Sequence, residues 1–276
     1  MCEVLERQFS DYDLDLDKWH EKKPFGISGC FRLKNEEQFM TAAVLSHLPY
    51  LDEAVLAVQP STDKTMELAL ELAKQDERVR VYPYPVETHF IDTPEFFTDP
   101  LNSVHSFVYF SNWALSKCRY SWIAKTEGDV ICLSSFQKIV DEIKANPDRP
   151  RCYGRVILNV AGEHAEKVSA TNPRNGGWDE CVVWNNPDYS FFTRRSKWEV
   201  LDFKGAAVCM GWSGLHMKRC KKGKEFGWNN EVYVSFDREH VRNALRAFNA
   251  HSPYPGIDNP LGEECLYEKT LVTEAQ

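Results

Sequence analysis

At 276 residues and 43% apolar content, the chain can bury a substantial core, as one large domain or two small ones. No apolar run approaches the ~18 residues of a membrane span, and a formal net charge of −8 argues against a general nucleic-acid binder. Nine cysteines, an odd number without a CxxC pair or zinc spacing, fit reduced thiols in a cytosol better than a disulfide framework.

Residues 1–25 read as an acidic arm, without the apolar block of an export signal. "GISGCFRL" (26–33) has strand character and "EQFMTAAVLSHL" carries the helical stripe Met40, Val44, Leu48. "EAVLAV" (53–58) is continuously apolar after its first residue, as expected of a strand buried on both faces of a parallel sheet. Ser61 or Thr62 can cap the helix that follows, with Asp63 in its first turn and Met66, Ala69, Leu70 and Ala73 on its inner face. "RVRVYPYP" (78–85) is a third strand, and residues 86–102 read as a long loop of the kind that forms functional lids. Val104, Val108, Leu115 and Cys118 mark another helix, "YSWIAK" (120–125) a fourth strand, and "LSSFQKIVDEIKA" a helix capped near Ser134 or Ser135.

This alternation predicts a doubly wound, mostly parallel α/β sheet over 26–150. Neither a dinucleotide nor a P-loop fingerprint follows the first strand, because Gly26 and Gly29 fall within it. Residues 151–250 break into short strands ("CYGRVILNV", "DYSFFTRR", "AAVCMG"), predicting a smaller mixed region, and 251–276 read as a surface tail. Ligands of open α/β sheets sit at the carboxyl ends of the strands. Three such ends carry acids or amides: Asn35 and Glu36, Gln59 and Asp63, Glu127 and Asp129. Each alone is an ordinary loop polar; their convergence on one edge points to a site. Eight tryptophans lean weakly toward sugar stacking, with core packing as the plainer reading. "KRCKKGK" (218–224), five of seven residues basic, is either a solvated face or an anchor for phosphates or an anionic membrane surface.

Residues 26 to about 135 resemble the nucleotide-sugar-binding half of a GT-A fold (Rossmann-like) glycosyltransferase of family 2. "RLKNEE", "STDKT", "SNWALS" and "EGD" occur in that family's order. Family 2 proteins usually have Asp-x-Asp where this chain has Glu127-Gly128-Asp129. They usually have an acid at Gln59 and often a base at Ser111, so the chain resembles a divergent member. The resemblance implies metal-dependent, inverting transfer of a sugar from a UDP- or GDP-linked donor to a hydroxyl of a glycan or glycoconjugate. Mn²⁺ or Mg²⁺ would be held by Glu127 and Asp129 with His216 as a late ligand. Arg32, Asn35, Glu36, Gln59, Asp63, Asn112 and Lys125 would contact the donor. Lys218, with Arg219 and Lys221, would neutralise its diphosphate. "NGGWDE" (175–180) resembles the family's glycine-glycine-aromatic-acid stretch, which makes Asp179 and Glu180 the candidate catalytic bases, with Asp188 in reserve and Gly176 and Gly177 shaping the turn. The expected location is cytoplasmic or peripheral to a membrane. Two alternatives stand beside this reading: a degenerate sugar- or nucleotide-binding protein on the same fold, and a sugar-nucleotide nucleotidyltransferase, for which "RLKNEE" is too acidic and glycine-poor.

Overall fold

The apolar run from 53 to 58 is strand β2 (Glu53–Val58), buried at every position as a strand covered on both faces must be. It pairs in parallel with β1 (Ile27–Leu33) on one side and β3 (Val79–Pro83) on the other. β1 in turn pairs in parallel with β4 (Trp122–Glu127). This is the expected parallel half, in spatial order β3-β2-β1-β4. The computed structural model describes residues 13–91, 93–161, 167–170, 180–195, 198–219 and 221.

Alternation along these strands sends successive side chains to opposite faces, and helices cover both. Phe31, Leu33, Leu56, Val58 and Trp122 pack toward α2 (Met40–His47), α3 (Thr65–Gln75) and α6 (Gln137–Ala145). Cys30, Val55, Ala57 and Ile123 pack toward α1 (Leu16–His20), α4 (Pro94–Thr98) and α5 (Phe107–Ser116). The fold is therefore a layered α/β structure wound on both faces. Each fully buried Leu or Phe here contributes about 1.5–3 kcal/mol by leaving water.

Past residue 128 most of the strands extend the same sheet. β8 (Glu180–Trp184) inserts antiparallel beside β4, then β6 (Arg151–Ala161), β11 (Ala206–Arg219) and β5 (Val130–Cys132) follow; with β7 (Lys167–Ala170) on β6 the sheet has nine strands among the described residues. β9 (Ser190–Arg195) and β10 (Trp198–Phe203) form a separate antiparallel pair.

Several local expectations change. Neither Ser61 nor Thr62 caps α3; the Asp63 carboxylate does so from outside the helix, accepting the Thr65 N–H at 2.9 Å. The 86–102 loop contains α4, whose first turn is capped by Thr93. No serine side chain caps α6, which continues from a 3₁₀ turn over Ser134–Phe136. Gly26 precedes β1 instead of lying in it. The arm is docked where it is described: Trp19 is 1% exposed and donates its indole N–H to Asn185 Oδ1 at 2.8 Å. Trp113 and Trp122 are also buried core, which removes these three from any sugar-stacking role. Among the described residues no helix is long and apolar enough to cross a membrane.

Candidate metal centre

β4 and β5 are joined by the turn that carries the acidic pair, with Glu127 ending β4 and Asp129 just before β5. Gly128 between them is required by packing. A Cβ there would lie 2.6 Å from Leu33 Cδ2 and 2.8 Å from Glu36 Cγ, so the loop after β1 occupies the space a side chain would need. What approaches Gly128 most closely is β1 and the loop after it.

That loop is itself pinned. Asn35 adopts φ +56°, a left-handed conformation that asparagine tolerates better than most residues. Its Oδ1 accepts the Thr62 N–H at 2.8 Å, and its own N–H donates to Ser61 Oγ at 3.2 Å. Glu36 and Glu37 donate their N–H groups to Thr65 Oγ1 and Asp63 Oδ2. The loops after β1 and β2 are thus laced together, and they present Glu36 toward Asp129.

His216 comes to the pair from a distant part of the chain. It stands opposite Val130 across the β11–β5 ladder, with Nε2 3.3 Å from Asp129 Oδ1 and 3.5 Å from Glu127 Oε2. One donor atom from each of Glu127, Asp129 and His216 falls within 4.8 Å of the others. Two carboxylates and an imidazole in such a cluster suit a divalent ion such as Mn²⁺, which accepts hard oxygen with nitrogen. Among the described residues Asp129 Oδ1 is buried and accepts no hydrogen bond of good geometry, which leaves it placed to meet a cation.

Among the described residues, Lys221 brings an ammonium directly onto the acids. Its Nζ lies 2.6 Å from Glu36 Oε1 and 2.7 Å from Asp129 Oδ2. Burial works to raise the Asp129 pKa, but His216 and Lys221 together hold it well below the usual carboxylate range. Glu36 is pushed up to about 7, by burial first and then by the Asp129 charge, and only partly relieved by Lys221. Glu127 is held below its ordinary value: burial opposes ionisation, and Lys125, His216 and Arg32 outweigh it. Arg32 steadies Glu127 from 4.0 Å while forming a close ion pair with Glu199, and it lies over the rings of Phe107 and Phe192 at 5.2 and 4.8 Å. Ser111, where the family often has a base, accepts from Arg32 Nη1 at 2.6 Å.

The other sequence candidates divide. Glu180, first residue of β8, is 1% exposed, with Lys125 and Arg155 each 3.8 Å from one of its oxygens and, among the described residues, no hydrogen bond to either oxygen. Burial, countered mainly by Lys125, raises its pKa to about 7. Gln59 is buried and its Oε1 accepts from Thr88 N and Oγ1 at 3.2 and 2.7 Å. The Asp63 carboxylate is taken up by Thr65 and Glu37. Asn112 exchanges two hydrogen bonds with the Phe192 backbone, tying α5 to β9. Asp188 is an exposed turn residue 3.5 Å from His20, in the β8–β9 connection. Asp179, Gly176 and Gly177, residues 1–12, Lys222 and Lys224, the 251–276 tail, and the side chains of Lys218 and Arg219 lie outside the described residues. The sequence reading missed Glu199, which sits in an unremarked amphipathic run, and the turning of Lys221 inward onto the acids.

No protein-family model matches the chain, and no curated protein matches its sequence. Among solved structures it is similar to TarS 1–349 from S. aureus, at 12% identity and TM-score 0.45. That match covers 83% of this chain and 66% of the other, just under two thirds. It is also similar to glucosyl-3-phosphoglycerate synthase from Mycobacterium tuberculosis, solved with Mn²⁺, uridine-diphosphate and phosphoglyceric acid. There the identity is 12% and the TM-score 0.42, with 88% of this chain and 83% of that one covered. A third similar structure is a putative glucose-1-phosphate thymidylyltransferase from Bacillus anthracis, at 9% identity and TM-score 0.37, covering 85% and 98%.

Proposed function

We propose that the protein is a metal-dependent glycosyltransferase that moves a sugar from a nucleotide sugar to an acceptor hydroxyl with inversion. The observation that carries this reading is the convergence of Glu127, Asp129 and His216 within 4.8 Å at the carboxyl edge of the parallel strands. A divalent ion held there would offset the charge that develops on a leaving diphosphate. The laced loops bearing Asn35, Glu36 and Asp63, with Gln59 beside them, would form the floor for the nucleoside. Arg32 positions Glu127 for the ion. Glu180 is the base we assign among the described residues, because a carboxyl held near neutrality is suited to take a proton from an attacking hydroxyl. The two cations beside it would orient it as it does so.

The test is a thermal-shift screen of UDP- and GDP-sugars and of the free diphosphates, with and without manganese. A ligand that binds the folded state raises its apparent stability by mass action. The expected result is a manganese-dependent rise with one diphosphate, followed by transfer or slow hydrolysis of its sugar. A protein that gains no stability from any of them sinks the proposal.

A binding protein without transfer activity is the second reading, and one contact favours it: the Lys221 ammonium bridges Glu36 and Asp129 as a built-in cation. Lys221→Met separates the two readings. If a divalent ion must exchange with the ammonium, the variant binds Mn²⁺ about tenfold more tightly by electron paramagnetic resonance, roughly 1.4 kcal/mol. If the ammonium is the permanent cation, manganese does not bind the wild type, and binding appears only once the ammonium is removed.

A further inference from the structure

The opposite end of the sheet carries a second concentration of charge, of the other sign. Between the docked arm and the amino ends of the parallel strands lies a cavity of about 440 Å³. Its walls hold Lys18, Lys22, Lys23, Arg80, Lys117 and Arg119, against the carboxylates of Asp15 and Glu21. Glu53, buried behind the wall, bonds Arg80 and Arg119 at 2.8 Å each. Six cations thus face three carboxylates, in a chain whose formal net charge is −8.

The surplus is not an ordinary solvated face. Asp15 is committed to the Lys18 N–H as the N-cap of α1. Among the described residues, none of Lys18, Lys22, Lys23 and Lys117 has a carboxylate oxygen within 4.0 Å of its ammonium. Lys117 lies over the Trp113 ring at 4.8 Å, and burial, aided by the Lys18 charge, lowers its pKa. Burial also lowers the pKa of Lys23. Arg119 is anchored through Nε by Glu53, which pre-orients the rest of its guanidinium fork. Separation from the metal centre follows from topology. Pro24, Arg80 and Arg119 lie at or just before the starts of β1, β3 and β4, whereas Glu127 ends β4. A strand of this length spans roughly 20 Å.

We propose that this cavity is a second binding site, for a small, multiply charged anion of the phosphate class. Its volume is in the usual range for small-molecule sites, about 300–1,000 Å³. A surplus of cations drawn from the arm, β3 and the segment before β4 matches several anionic oxygens on one compact ligand. The site does not depend on the transfer chemistry proposed above. It couples to the fold through the arm, because Trp19 and Asn185 hold in place the segment that supplies three of the lysines.

The experiment titrates the full chain with inorganic tripolyphosphate in EDTA, by calorimetry. Without a divalent ion, the acidic edge around Asp129 repels such a probe. Wild type is expected to bind one equivalent. Lys18→Glu combined with Lys22→Glu should lose at least tenfold in affinity, and Lys22→Gln alone about threefold, with the melting temperature of each unliganded protein unchanged. Asp129→Asn, at the other end of the sheet, should bind as wild type does. Absence of binding by wild type overturns the proposal, as does undiminished binding by the lysine variants or a loss that follows Asp129→Asn instead. A parallel arm with phosphatidylglycerol vesicles addresses the lipid source of the same chemistry: binding to vesicles without binding to tripolyphosphate overturns a small-molecule site.

Discussion

Asp129→Asn is expected to abolish manganese binding, with at least a 100-fold loss of affinity and no manganese-dependent stabilisation by nucleoside diphosphates. The magnitude follows from the position of the residue. Asp129 is 2% exposed and faces the His216 imidazole and the Lys221 ammonium with its two oxygens, so it is the acid that both groups share. Replacement of an outer partner of a metal ligand already costs 10–100-fold, and an amide in place of the ligand itself should cost more. Glu127→Asp is the informative companion. Glu127 is 36% exposed at its side chain and is steadied by Arg32 only at 4.0 Å, so shortening it by one methylene should cost far less, about tenfold. Electron paramagnetic resonance of free manganese measures both. Equal, small losses in the two variants would mean that the ion sits elsewhere.

The contrast between the two acids also shows what the sequence made legible. Much of the first 150 residues could be read because β2 is an almost continuous apolar run, β3 alternates, and the longer helices carry a 3.6-residue stripe, all of them local signals. The acids after β1 and β4 were legible for the same reason, as polar residues at predictable strand ends. The second half was harder because its pairings are non-local. β8 begins at Glu180, within what reads as a polar turn, and its place is fixed by pairing with β4 and β6. β11 was read only over 206–211, because register shifts between Cys209 and Gly214 break its alternation; His216 lies past those shifts on the same strand. Lys221 belongs to a basic run whose composition is that of a solvated face, and only the fold turns it onto Glu36 and Asp129. Residue types were legible throughout; which of them a distant strand would bring together was not.

Glu53→Ala is expected to destabilise the fold by about 3 kcal/mol at neutral pH, the lower end of the cost of breaking a buried ion pair. Glu53 opens β2, is 0% exposed, and accepts from Ser28 Oγ at 2.7 Å, Arg119 N at 2.6 Å, and Arg119 Nε and Arg80 Nη1 at 2.8 Å each. One carboxylate thereby joins β1, β2, β3 and the segment entering β4. The lower end applies because both arginines left behind can reach solvent, with side chains 26% and 55% exposed. The pH dependence has a fixed sign. Burial works to raise the Glu53 pKa, but the donors from Arg119, Arg80 and Ser28 outweigh it and hold it below the ordinary 4.5. A carboxyl depressed by folding stabilises fully above its unfolded value and loses that contribution as the pH falls through its folded value. Wild type and variant should therefore differ most in urea unfolding above about pH 5 and converge in stronger acid. A gap that stayed constant from pH 7 down to pH 3 would assign the loss to packing instead of to the ionised carboxylate.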